Sequence, residues 1–117
     1  MNVLRNSKIG EMGEQMACDF LLSRGHQILD RNWHAGHLEL DIVSEAPDGL
    51  HFVEVKARTA PVTNDVSDQV NRVKQKRISA AANQYLNRNK TAGGEVFFDI
   101  VSVLFDGPQT VVRYFPQ

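Results

Sequence analysis

A chain of 117 residues, 42% hydrophobic and 23% charged, has the length for one core and one domain over 1–117 and excludes a disordered or fibrous polypeptide. A single cysteine, Cys18, excludes an intrachain disulfide; residues 1–15 lack the apolar stretch of a signal peptide, and no segment reaches the ~20 apolar residues that span a bilayer, so a cytoplasmic protein without a membrane partner is expected. The net charge of −1 hides a division, −5 over residues 1–55, +6 over 56–90 and −2 over 91–117, which places a basic segment directly after an acidic one.

The first predicted element is a helix with Ser7 as its N-cap, an inward stripe of Ile9, Met12, Met16, Ala17, Phe20 and Leu21, and Gly25 as its stop. Glu14 falls at the edge of that stripe, where a solvated helix glutamate is the ordinary reading. A short strand around Ile28 and Leu29 follows, with Ala35-Gly36 as a turn. His34 and His37 near Glu39 and Asp41 suggest zinc only weakly, because no second Cys/His pair stands at structural-zinc spacing.

Residues 37–58, HLELDIVSEAPDGLHFVEVKAR, read as a β-hairpin turning at Asp48-Gly49. Alternation puts Leu38, Leu40 and Ile42 on one face of the first strand and Glu39, Asp41 and Val43 on the other. On the second strand Leu50, Phe52, Glu54, Lys56 and Arg58 share a face, opposite Val53, Val55 and Ala57. The pairing can bring Asp41 close to Glu54 and Lys56. Ionised groups amid β-branched strands cost several kcal/mol, by rough desolvation estimates, unless they are paired or metal-bound. An ion pair on a half-exposed sheet would answer for two of them, but three converging groups are a poor way to hold a sheet together.

After a loop at TAPVTND, a second helix is predicted from about Ser67 or Asp68 to Asn89, with Val66, Val70, Val73, Ile78, Ala81, Ala82 and Tyr85 inward. Arg72, Lys74, Lys76 and Arg77 lie in its first half, all of one sign. With Lys56 and Arg58 just before the loop they can contact phosphates, although a merely solvated face would look the same. The chain closes with EVFFDIVSVLF, an inner strand interrupted by Asp99, a turn at Asp106-Gly107-Pro108, and a last strand TVVRYF. Asp99 is expected to bond backbone amides or the hairpin's cations. The order α-β-β-β-α-β-β describes an α/β protein with a mixed central sheet flanked by helices.

Hydrolysis of a phosphodiester needs an activated water and neutralisation of developing charge, and a hard divalent cation on carboxylate oxygens supplies both. Asp41 and Glu54 would be ligands for Mg²⁺ or Mn²⁺, with the backbone carbonyl of Val55 and waters beside them. Lys56 would orient water or stabilise charge. Glu39 is expected to be solvated.

Asp41 followed thirteen residues later by Glu54-Val55-Lys56 resembles the D-(x)n-E-x-K signature of the PD-(D/E)xK nuclease superfamily. Gly13-Glu14, ELDIV at 39–43, FVEVKAR at 52–58, KQKRI at 74–78 and FDIV at 98–101 together resemble the YraN-like family of uncharacterised bacterial proteins, related to archaeal Holliday-junction resolvases. The resemblance covers nearly the whole chain. One departure is Leu38, where that family usually has glycine. The resemblance implies a restriction-endonuclease-like αβββαβ core and a metal-dependent endonuclease of branched or structured DNA, with a homodimer making symmetric cuts. It also implies Glu14 as a further metal ligand, since the resolvase-like members bring a glutamate of the first helix to this site. Two other classes remain open: a nucleic-acid-binding module without catalysis, and a protein-interaction domain. Acids that repel phosphate favour the first class over a pure binder, and the basic 72–77 cluster favours nucleic acid over protein.

Overall fold

The computed structural model describes residues 3–61, 72–89 and 94–117, with side chains from Lys8 onward. Helix α1 (Val3–Ser23) is followed by strands β1 (Gln27–Ala35), β2 (Leu38–Ala46) and β3 (Gly49–Thr59), helix α2 (Arg72–Asn89), and strands β4 (Val96–Asp106) and β5 (Gln109–Pro116). The sheet order is β1-β2-β3-β4-β5, parallel between β3 and β4 and antiparallel elsewhere. This five-stranded mixed sheet flanked by two helices is compatible with the restriction-endonuclease-like core expected from the sequence. No helix among the described residues is long and apolar enough to cross a membrane.

Each helix covers one face. Ala17, Cys18 and Leu21 of α1 pack on Ile42, Val53, Val101 and Val103, whereas Ala81, Ala82 and Tyr85 of α2 pack on Leu40, Val43, Leu50 and Phe52. α1 starts at Val3, so Ser7 lies inside the helix and is not its cap. Its end is as expected: Gly25 at φ +89° lets the His26 N–H reach the Leu21 carbonyl at 3.0 Å and its own N–H reach that of Leu22 at 3.1 Å. Met12 is 43% exposed rather than inward, because the face turned to the sheet is the small one around Gly13. A Cβ on Gly13 would overlap that of Ala57 on β3, so the glycine sets how close α1 lies to the sheet.

That contact yields a paired prediction. Gly13→Val is expected to lower unfolding free energy by about 1–3 kcal/mol through overpacking. Gly10→Ala, with nothing within 4 Å of the new methyl, is expected to raise it by about 0.5–1 kcal/mol through helix propensity. Urea titration of both variants measures the difference.

Three sequence readings shift. Ala46 pairs with Gly49, so the hairpin turn is Pro47-Asp48 instead of Asp48-Gly49; similarly, Ala35 pairs with Leu38 and the first turn is Gly36-His37. Gly49 opens β3 at φ +147° because a Cβ there would strike the Glu95 carbonyl, whose oxygen accepts the Leu50 N–H at 3.0 Å. β3 alternates as predicted, but β2 does not: Leu40 joins the α2 side and Ile42 the α1 side. Val66, Ser67 and Val70, with the predicted start of the second helix, lie outside the described residues. Ile78, Ala81, Ala82 and Tyr85 face inward, but Val73 is 61% exposed at the rim of a cavity.

Asp99 meets the hairpin at His51, a residue the sequence reading did not name as its partner. Its Oδ2 lies 2.5 Å from Nδ1 of His51 and accepts the Tyr114 hydroxyl at 2.8 Å, while Nε2 of His51 lies 2.8 Å from Asp48 Oδ1. Both imidazole nitrogens therefore face carboxylates, the arrangement an imidazolium satisfies because each nitrogen donates. Burial pulls the His51 pKa down, but the bonds and charges of Asp48 and Asp99 outweigh it and leave the pKa raised. This buried network ties β3 to β4 and β5.

Candidate metal and nucleic-acid site

The β2–β3 ladder ends at the pair Ile42 and Val53, and the Val55 N–H donates instead to Asp41 Oδ2 at 2.9 Å. A side-chain carboxylate thus takes the place of a strand carbonyl, which also accounts for the lost alternation in β2. Asp41 borders two cavities. One, about 700 Å³ on the α1 side, is lined also by Glu14, Arg31, Asn32, Glu39 and Val55. The other, about 380 Å³ on the α2 side, is lined also by Phe52, Glu54, Lys74 and Arg77. Burial, and after it the negative charges of Glu54, Glu39 and Glu14, push the Asp41 pKa up to about 6 against the pull of the Val55 amide.

Glu54 is 8% exposed on the α2 face. Lys74 of α2 forms an ion pair with its Oε1, and Oε2 has no hydrogen-bond partner among the described residues. Two hard-oxygen donors, half-buried Asp41 and buried Glu54, therefore stand at adjacent strand positions, with one oxygen's capacity unused. That donor set fits a divalent cation of the Mg²⁺ type, which takes one or two carboxylates and completes its shell with water.

The remaining sequence candidates fall in different places. Glu14 reaches the cavity of Asp41, but its Oε1 is held by Asn32 Nδ2 at 2.7 Å and Arg31 Nε at 3.4 Å. Among the described residues no three acid, His or Cys side chains converge tightly enough to hold a metal, so Glu14 does not complete a triad with Asp41 and Glu54. Glu39 is 63% exposed and meets His34 Nε2 at 3.0 Å, in keeping with a solvated role. Lys56 shares the face of Glu54 but lines a third cavity, with Arg58 and Arg113. Of the basic helix residues, Lys74 and Arg77 border the cavity of the acid pair, one helical turn apart, while Arg72 and Lys76 are exposed and do not line it.

The sequence reading missed Lys74 as the counter-ion of Glu54, the His51–Asp99–Tyr114 network and Arg113. A lone acid in an apolar strand was the available signal for the network, whereas nothing local marks Lys74 out from its basic neighbours.

The fold and site define an α/β protein with two carboxylates, one buried and one half-buried, where two central strands separate, bordered by cations from a crossing helix. The family model described as uncharacterised protein family UPF0102 matches residues 13–103, from Gly13 to Val103, and the chain belongs to that family. A UPF0102 protein of Myxococcus xanthus is 37% identical over 107 residues, 92% of this chain and 85% of that one. A UPF0102 protein of Syntrophomonas wolfei is 33% identical over 109 residues, 93% and 95% of the two chains. One from Dictyoglomus thermophilum is 37% identical over 101 residues, 86% of each.

Proposed function

We propose that this protein is a metal-dependent endonuclease that hydrolyses phosphodiesters in branched or structured DNA in the cytoplasm, acting as a symmetric pair. The observation that carries the reading is the pair of half-buried Asp41 and buried Glu54, with an oxygen of Glu54 lacking a partner among the described residues. Two adjacent carboxylates withdrawn in part from water repel each other, and a divalent cation is the partner that turns the repulsion into binding.

Asp41 and Glu54 would hold the cation, and when bound it supplies an activated water and charge neutralisation at the phosphate. The Val55 N–H fixes the Asp41 carboxylate at the border of both cavities. Lys74 and Arg77 meet the phosphate from the helix side. Lys56, two residues beyond Glu54 on the same face, meets it from the sheet. Glu14, held by Arg31 and Asn32, acts on this centre through its charge.

Cleavage of labelled four-way junction, flap and linear duplex in Mg²⁺ or Mn²⁺ tests the reading. Glu54→Gln and Lys56→Ala are each expected to slow cutting by a factor on the order of 10²–10³, as loss of one preorganised electrostatic group does. Wild type that leaves every substrate intact would sink it.

The Lys74–Glu54 ion pair favours a second reading, a nucleic-acid-binding module without catalysis, in which the lysine is the permanent partner of the acid. Binding with a steep salt dependence and no cutting would select it.

A further inference from the structure

Beyond the acid pair, the sheet face bearing Glu54 continues onto β4 and β5. Register places Lys56 beside Ser102 and Ser102 beside Arg113, one row across three strands. At the usual strand spacing the two cations stand about 10 Å apart, with a hydroxyl between them. Arg58 is two residues further along β3 on the same face. These groups, with Gln117, line a cavity of about 330 Å³. A phosphodiester among the cations is attracted by each, and Arg, Lys and Ser are the side chains that contact phosphate oxygens.

The cavity neighbours the acid pair: Ile100 and Gln117 line both it and an adjoining hollow, and Glu54 lines both that hollow and the cavity of Asp41. The carboxylates therefore lie between two cationic banks, Lys74 and Arg77 on one side and Lys56, Arg58 and Arg113 on the other.

The geometry points to the row Lys56–Ser102–Arg113 as a binding site for the phosphodiester backbone of nucleic acid, with Arg113 of β5 as its outer anchor. This rests on the nucleic-acid reading proposed above and extends it: the strand does not end at the acid pair but runs on over β4 and β5, the side of the sheet away from β1. Arg113 is exposed near the chain's end, and its role is to position the backbone.

The test is equilibrium binding of a fluorescein-labelled 30-base-pair duplex in EDTA, so that chemistry plays no part, across a salt series. Arg113→Ala is expected to bind roughly tenfold more weakly at low salt and to lower the slope of log K against log salt by about 0.9, one phosphate contact. Arg113→Lys should retain the slope, and Lys8→Ala on α1 should match wild type. Thermal unfolding of Arg113→Ala should be unchanged. Wild-type affinity and slope in Arg113→Ala would overturn this site while leaving the nucleic-acid reading standing. Absence of salt-dependent binding by wild type itself would overturn both.

Discussion

In metal-free buffer at pH 7, Asp41→Asn is expected to be more stable than wild type by about 2–3 kcal/mol, and to lose the response of wild type to divalent cations. The folded-state pKa of Asp41 is about 6 against an ordinary value of 3.8. A raised carboxylate binds its proton more tightly in the folded state, so wild type loses stability as pH rises from 3.8 to about 6 and stays at the lower level above that range. Asparagine has no charge to bury, and its carbonyl oxygen can still accept the Val55 N–H. Its stability should be flat where wild type falls. Urea midpoints from pH 4 to pH 8 check the first part. The second follows by mass action: Mg²⁺ or Mn²⁺ bound to the folded state alone raises the wild-type midpoint, by about 2.7 kcal/mol at a hundredfold excess over Kd. A cation that stabilised wild type and Asp41→Asn equally would bind somewhere other than the strand junction.

His51→Ala should cost about 3–5 kcal/mol, the penalty of removing one partner from a buried charge pair. Asp99 is 3% exposed, and without the imidazole only the Tyr114 hydroxyl would remain from its present set. His51→Gln should recover part of the loss, since one amide N–H can still donate to a carboxylate. The pH dependence runs in a definite direction. The folded-state pKa of His51 lies above its ordinary 6.5, so its contribution is complete below 6.5 and is lost as pH rises through the folded value. Wild type should therefore lose stability above pH 6.5 by a step that His51→Ala lacks. Thermal unfolding of both proteins between pH 6 and pH 9 reads it out. A step retained in the variant would assign the proton elsewhere.

The two effects are separable because Asp41 stands on β2 just beyond the end of the β2–β3 ladder, whereas His51 is paired within it on β3. His51 lies on the α1 side with Val53, and Glu54 on the α2 side with Phe52. Strand alternation predicted that division for β3, where backbone pairing on both edges holds the pleat. For β2 it failed at Leu40 and Ile42, because the Asp41 carboxylate captures the Val55 N–H and ends the ladder. The residue that breaks the pattern belongs to the candidate site.

Element types and their order were readable because each rests on short-range periodicity and turn chemistry. Gly25 ended α1 where expected, and the apolar run at 96–105 became a strand paired on both sides. Turns slipped by one residue, since two-residue loops are set by the pairing across them. Asp41 and Glu54 stood out as acids in apolar strands, and the structure puts them at the same junction.

What the sequence by itself determined, then, is the kind of fold and the pair of acids in its apolar strands, both properties of neighbouring residues. Only the tertiary structure decided which cation meets which acid. Lys74 comes to Glu54 across a helix crossing, and Arg113 comes into line with Lys56 across three strands. His51 likewise finds Asp99, 48 residues away. Long side chains of one charge are interchangeable by composition, and what separates them is the register and approach of elements distant in the chain.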